Sequence, residues 1–137
     1  MQWQHKIENM QLRILHSQVL KLDITKIDKK EKKNDKKSFD IGFEAHYDAD
    51  DNTVFVILFD LEIYHPNDFK LKCKYGVWFK TSQAIDDAFK TSPFPTVNAP
   101  AIAFPFLRSL ISTITVNSGY NPAILPSINF TDFKNKK

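Results

Sequence analysis

Three segments of the chain alternate apolar and polar residues with a period of two, the pattern of a strand that buries one face. In FDIGFEAHYD, Phe39, Ile41, Phe43, Ala45 and Tyr47 form the apolar row, and Asp40, Gly42, Glu44, His46 and Asp48 the polar one. In TVFVILFDLEIY the apolar row is Phe55, Ile57, Phe59, Leu61 and Ile63. In FKLKCKYGVWFK it is Phe69, Leu71, Cys73, Tyr75, Val77 and Phe79, against Lys70, Lys72, Lys74, Gly76, Trp78 and Lys80. The linkers DADDN and HPND have the composition of tight turns, so neighbouring strands should run antiparallel. A fourth strand is read in MQLRILHSQVLKLDI. Its alternation breaks: Met10, Leu12 and Ile14 agree, Leu15 and Val19 do not, and a bulge or bend near residues 16–18 would reconcile them.

A sheet of this kind has one greasy and one charged face and needs a cover on one side. The rest of the chain has to supply it. TSQAIDDAFKTS (81–92) predicts a short helix capped by Thr81 or Ser82. PFPTVNAPAIAFP (93–105) holds four prolines and reads as an extended crossover. Pro105 then starts a helix that ends at NSG, with Gly119 as its left-handed cap. On a helical wheel Phe106, Leu107, Leu110, Ile111 and Ile114 fall in one stripe ~140° wide, with Arg108, Ser109, Ser112 and Thr115 opposite. That small, hydroxylated back suits either close approach of another surface or a wet exterior. After Gly119, YNPAILPSINFTDF is too rich in proline for a helix before its last residues.

Length bounds the 137 residues to one domain, 1–137. The formal net charge is +3, but residues 26–37, KIDKKEKKNDKK, alone carry seven lysines and three acids. The basic balance therefore belongs to one solvated loop, and nucleic acid is not the expected partner. KNKK at 134–137 reads as a frayed tail. A single cysteine, Cys73, allows no intrachain disulfide and fits a reducing compartment. No apolar signal-peptide core is visible in MQWQHKIENMQ. PAIAFPFLRSLISTITVNSGY is the most apolar stretch, but Pro100, Pro105 and the central Arg108 set it apart from a membrane span, which needs ~20 apolar residues. The expected location is cytoplasmic, without membrane insertion.

Catalytic chemistry is not visible. His5, His16, His46 and His65 are scattered over different elements, with no metal-ligand spacing. Three glycines cannot build a phosphate-cradling loop. Cys73 falls on a core row, where a thiol is inert, and Asp86 and Asp87 read as exposed helix acids. The expectation is no catalytic residue, no metal and no cofactor.

The stretch PAIAFPFLRSLISTITVNSGYNPAILPSINFTDF resembles the C-terminal half of the SecB export-chaperone family. The resemblance rests on Pro100, Ile102, Phe104, Pro105, Phe106, Arg108 and Ile111, then Pro122, Leu125, Ile128, Asn129 and Phe130. It is strongest over 97–133, and the upstream strands agree with the family's architecture. It implies an α+β fold: a four-stranded antiparallel Greek-key sheet with helices packed on one face. It also implies a holdase that keeps unfolded polypeptides from aggregating without nucleotide, assembled as a homotetramer. The client-binding residues it implies are Phe94, Val97, Ile102 and Phe104 on the crossover, with Leu125, Ile128, Phe130 and Phe133 beyond the helix. Arg108, Ser109, Ser112 and Thr115 become the implied oligomer interface.

Two departures bear on partners. Family members that dock the SecA motor extend past the Asn-Phe motif with a second helix and an acidic tail, whereas this chain stops at Lys137 in basic residues. The family's first-strand acid falls at Gln18, and Lys70, Lys72 and Lys74 interrupt the acids Asp40, Glu44, Asp60 and Glu62. SecA docking is therefore the weaker expectation, and a chaperone dedicated to one client, such as an antitoxin, is a variant of the same reading. The competing class is a nucleic-acid-binding sheet using Lys29, Lys30, Lys32, Lys33, Lys36 and Lys37, with Trp78 for stacking.

Overall fold

The computed structural model describes residues 9–28, 36–66 and 68–133. The centre of the lysine-rich loop, with Lys29, Lys30, Lys32 and Lys33, and the tail 134–137 lie outside them. The strands are β1 (Leu12–Lys26), β2 (Ser38–Tyr47), β3 (Val54–His65) and β4 (Phe69–Thr81). They form one antiparallel sheet in the order β1-β4-β3-β2. β2, β3 and β4 make a meander, and β1 returns beside β4 from the far edge, which is the Greek-key order.

The apolar rows face inward as the alternation requires. Phe55, Ile57, Phe59, Leu61 and Ile63 of β3, and Phe69, Leu71, Cys73, Tyr75, Val77 and Phe79 of β4, are all buried. Phe55 stacks on Phe79 with ring centroids 5.3 Å apart. β1 solves its broken alternation with two bulges rather than one. Its register with β4 shifts between Ile14 and His16, and again between Val19 and Lys21. Each extra residue reverses the side-chain parity, and the second reversal restores it. Leu12 and Ile14 therefore share the inner face with Leu22 and Ile24, while Ser17 and Val19 take it between the bulges, opposite Val77 and Tyr75.

The helical part departs from expectation. A short α1 (Asp87–Lys90) is capped by Asp86, whose carboxylate accepts the Phe89 N–H at 2.9 Å. Thr81 and Ser82 do not cap it. They tie the strand ends together: the Ser82 hydroxyl accepts the Gln11 N–H at 2.8 Å, and the Thr81 hydroxyl donates to the carbonyls of Thr53 and Gln83. Residues 93–105 are helical, not an extended crossover. A π-turn at Phe94–Asn98 runs directly into α2 (Ala99–Asn117), so Pro105 lies inside a helix it was expected to start.

Four prolines are accommodated for positional reasons. Pro95 and Pro100 each fall in the first turn of a helical segment, where the missing N–H has no intrahelical partner to lose. Between them the Ala99 N–H donates to the Phe94 carbonyl, the wide bond of a π-turn. Only Pro105 removes an interior bond, and it sits on the exposed side. Over Phe94–Asn117 the helix is thus long and apolar enough, by length and composition, to cross a membrane, which removes the interruption argument. Its inward residues Ala103, Leu107 and Ile111 are sealed against the protein's own core.

The buried stripe of α2 is Ala99, Pro100, Ala103, Phe104, Leu107, Ile111 and Thr115. Placing the helix start at Pro105 lost the first two turns, which define this face. Phe106 consequently points outward, 48% exposed, and Thr115 points in, at 0%. The Thr115 hydroxyl donates to the Ile111 carbonyl at 2.8 Å and accepts the Ala123 N–H at 3.0 Å. Beyond it Gly119, at φ 94°, turns the chain back as expected of a left-handed cap. Thr115 thereby pins the returning segment 120–133 to the helix. Replacing Thr115 by Val keeps the shape but strands the buried Ala123 N–H, a cost of about 1–3 kcal/mol. Chemical denaturation should read that loss as a lowered midpoint with an unchanged slope.

Candidate functional site

β2 ends the sheet on one side, and its inner row meets the returning segment 120–133. Phe43 packs edge-on against Phe130 with centroids 5.6 Å apart and stacks on Phe133 at 5.5 Å. Phe130 reaches Phe104 of α2 at 5.7 Å. Two hollows open along this margin. The larger, about 340 Å³, is lined by Phe43, Ala45, Pro95, Val97, Phe130 and Phe133, with Glu44, Thr96 and Thr131 at its rim. The smaller, about 170 Å³, is lined by Phe39, Ile63, His65, Ala123, Ile124, Leu125 and Pro126, beside Lys37 and Ser38. Ile124 is 63% exposed. The smaller hollow is mainly apolar, while the larger mixes aromatic and aliphatic side chains with the polar groups of Glu44, Thr96 and Thr131; such mixed walls suit a polypeptide better than a small polar substrate.

The expected client residues do not form one surface. Val97, Phe130 and Phe133 line the larger hollow and Leu125 the smaller. Phe104, Leu125 and Phe130 are nonetheless buried: Leu125 and Phe130 floor the hollows, and Phe104 is a core residue behind Phe130, not an exposed lip. Phe94 is half-buried and stacks on Phe89 with centroids 5.5 Å apart, which anchors the start of the helix. Ile128 is half-buried against the core. Ile102 is 43% exposed and lies on the outward side of α2, away from both hollows. The sequence reading missed Phe39, Phe43 and Ala45, because nothing in their alternation says that β2 is an edge.

The outward side of α2 carries a second apolar feature. Ile102, Phe106 and Val116 are exposed, with Ser109 and Thr113 between them at helical spacing. A shallow hollow of about 430 Å³ is lined by Pro105, Phe106, Ser109 and Leu110. Of the expected interface residues, Arg108 and Ser109 are exposed and Ser112 is half-buried. Thr115 is unavailable to another subunit, since it is enclosed within its own chain. On β1, Val19, Leu15 and Leu20 remain 38–44% exposed, and Ser17 is exposed too. α2 packs on β3 and β4 and leaves this part of β1 without a cover.

Reactive groups are quiet. Burial, and then the Asp60 charge, push the Cys73 thiol up to about 11, so it stays protonated and inert. Among the described residues no cluster of His, Cys, Asp and Glu could hold a metal ion. Trp78 stacks on His16, centroids 4.6 Å apart and planes 13° from parallel. A Cβ on Gly76 would come 2.7 Å from its ring, so the indole is packed along the sheet rather than presented outward. On the outer face Lys72 pairs with Glu62 at 3.6 Å and Lys74 with Asp60 at 3.9 Å.

An antiparallel Greek-key sheet roofed by one helix, with an apolar margin, is the architecture of the SecB-like chaperones. The family model for preprotein translocase subunit SecB matches residues 21–137, and the chain belongs to the SecB family. The fold is similar to that of the Mycobacterium tuberculosis Rv1957 SecB-like chaperone, solved in complex with a ChAD peptide from the Rv1956 HigA1 antitoxin. The TM-score is 0.66 at 10% identity, covering 91% of this chain and 92% of that one. A protein of unknown function from Streptococcus agalactiae matches at a TM-score of 0.54 and 14% identity, over 86% of this chain and 98% of that one. The uncharacterized protein MJ0357 of Methanocaldococcus jannaschii is 34% identical over 95 residues, 65% of this chain. That match spans 59% of the length of MJ0357.

His65, at the smaller hollow, supplies a pH signature. Burial, reinforced by the Lys37 charge and opposed by Asp68, holds its imidazole below the ordinary value. The unfolded chain then binds this proton more readily than the folded one, so stability is full above ~6.5 and falls as the pH drops below it. Unfolding free energies measured between pH 7.5 and 5 should show that decline, and a His65→Gln variant should show a shallower one.

Proposed function

We propose that this chain is an ATP-independent holdase that binds unfolded segments of other polypeptides along the β2 margin. The observation that carries the reading is the pair of hollows to which Phe39, Phe43, Val97 and Phe133 contribute apolar walls in a SecB-family chain. Half-exposed aromatic rings offer large contact area at low entropic cost, and without a rigid polar frame they accept many sequences. The work needs no cofactor, because holding a client requires binding free energy and not turnover.

The outward stripe of α2 and the uncovered stretch of β1 support a homotetramer, a dimer of dimers. Ser109 lets two helix backs approach closely around the exposed Phe106, and Val19 with Leu20 offers further exposed apolar area on β1. The cytoplasm is the expected compartment. SecA remains a candidate partner, weakened by the ion-paired lysines Lys72 and Lys74 on the outer face. A client-dedicated form uses the same margin. It is favoured by the fold likeness to Rv1957, whose bound peptide comes from an antitoxin. The nucleic-acid reading loses ground because one face of Trp78 is taken by His16.

Light scattering of an unfolded model protein tests the holdase. The chain should suppress aggregation at equimolar ratio, in salt as well as in dilute buffer, and absence of suppression would sink the reading. Val97→Asp places a charge in the larger hollow and should weaken client binding about tenfold, ~1.4 kcal/mol, with little change in melting temperature. Phe106→Lys should shift the mass in solution below that of the wild-type assembly while leaving far-UV dichroism intact. A wild-type monomer would remove the tetramer.

A further inference from the structure

The smaller hollow lies at one corner of the sheet, where β2 begins and β3 ends. Ser38 opens β2 opposite Tyr64, and His65 closes β3. Residues 123–126 form the facing wall. The Thr115 hydroxyl holds the Ala123 N–H, and Ala123 and Leu125 are both buried. The His65 ring rests on Phe69 with centroids 4.8 Å apart, and Phe69 is itself buried against Tyr120. The core thus fixes floor and walls before any ligand arrives.

The hollow joins two chemistries. Phe39, Ile63, Ala123 and Leu125 make its apolar part, and Lys37, Ser38 and His65 its polar part. The β2–β3 register, carried one step past Ser38↔Tyr64, puts Lys37 beside His65. Among the described residues no carboxylate forms an ion pair with the Lys37 ammonium. Burial, and then the Lys37 charge, keep the His65 imidazole from taking up a proton, against the opposing charge of Asp68. At neutral pH the ring is therefore uncharged and keeps one N–H to donate. An ammonium, a hydroxyl and a ring N–H at one corner suit a carboxylate, whose hydrogen bonds to a cation are the strong kind. The apolar part beside them suits an aliphatic group.

We propose that this corner captures the C-terminus of a partner polypeptide ending in an aliphatic residue, its carboxylate facing Lys37, Ser38 and His65 and its last side chain seated against Ile63 and Leu125. Size and strand geometry favour a chain end over an internal acid. The hollow is only about 170 Å³. Neighbouring side chains of an extended chain point to opposite faces, so an acid and the aliphatic residue next to it do not enter one small hollow together. A last residue carries both groups on a single Cα. Capture of a terminal carboxylate is a known mode of peptide recognition. The proposal goes beyond the holdase reading, which requires no chain end and stands without it.

Fluorescence anisotropy with labelled eight-residue peptides tests this on the full chain. The parent peptide ends in leucine with a free carboxylate, and its twin ends in leucine amide. The free acid should bind tenfold or more tightly than the amide in dilute buffer, with a smaller ratio in high salt. Lys37→Gln should bring the two within about twofold. Lys70→Gln, which removes one lysine from the outer face, should leave the ratio unchanged. A terminal aspartate in place of leucine should lose the advantage. Equal binding of acid and amide, or failure of both to bind, overturns the proposal. So does an amidated peptide with glutamate beside its leucine that binds as tightly as the free acid, since the corner would then serve any acid. Free isovalerate that competes as well as the parent peptide would assign the corner to small carboxylic acids instead. Suppression of aggregation of an unfolded protein, measured alongside, reports on the holdase independently of all these outcomes.

Discussion

The width of one helix against the width of four strands governs this molecule. An α-helix with its side chains is about 10–12 Å across, and neighbouring strands lie about 4.8 Å apart. One helix can therefore roof roughly two strands. α2 sits over β3 and β4, whose inner rows are buried along their length. The margins at β1 and β2 must be closed by something else. Segment 120–133 closes part of the β2 side, through Leu125 and Phe130, and leaves two hollows. The middle of β1 stays open, with Val19 and Leu20 partly in solvent. The two apolar margins are thus leftovers of one roofing shortfall, at opposite edges of the sheet.

The segment that closes the β2 side depends on α2 being long. Had the helix begun at Pro105, Phe104 would not face Phe59 and Phe130, and the aromatic contacts that hold segment 120–133 onto the helix and β3 would be missing. Its real start, through the π-turn and Ala99, brings two more turns onto the sheet. Thr115 then sets where the chain turns back, because its hydroxyl serves the helix and the Ala123 N–H at once. A residue that counts as polar on a helical wheel is in fact enclosed. Hydrogen-bond satisfaction allows this, since a buried hydroxyl with both partners made costs little.

Legibility followed periodicity. The four strands and the polarity of both sheet faces could be read from alternation in β2, β3 and β4, and β1 declared its irregularity by the misfit of Leu15 and Val19. The end of α2 was legible at Gly119, where only the left-handed region serves. Its beginning was not, because prolines signal a break or a first turn equally well. The site was legible only in part. Val97, Phe130 and Phe133 line the larger hollow, yet Ile102, from the same apolar run, is turned away from it. One hundred degrees per residue separates such neighbours, and the choice depends on where the helix starts.

By itself the chain's pattern determined which residues form strands, which face of β2, β3 and β4 is apolar, and where α2 stops. Those are local properties, set by side-chain parity and backbone conformation over a few residues. Tertiary structure alone decided that β2 and not β3 is an edge, that β1 carries two bulges rather than one, and that Thr115 goes in while Phe106 goes out. These depend on which strand pairs with which and on what lies above the sheet. Contacts between residues far apart in sequence set them, and no local period encodes such contacts.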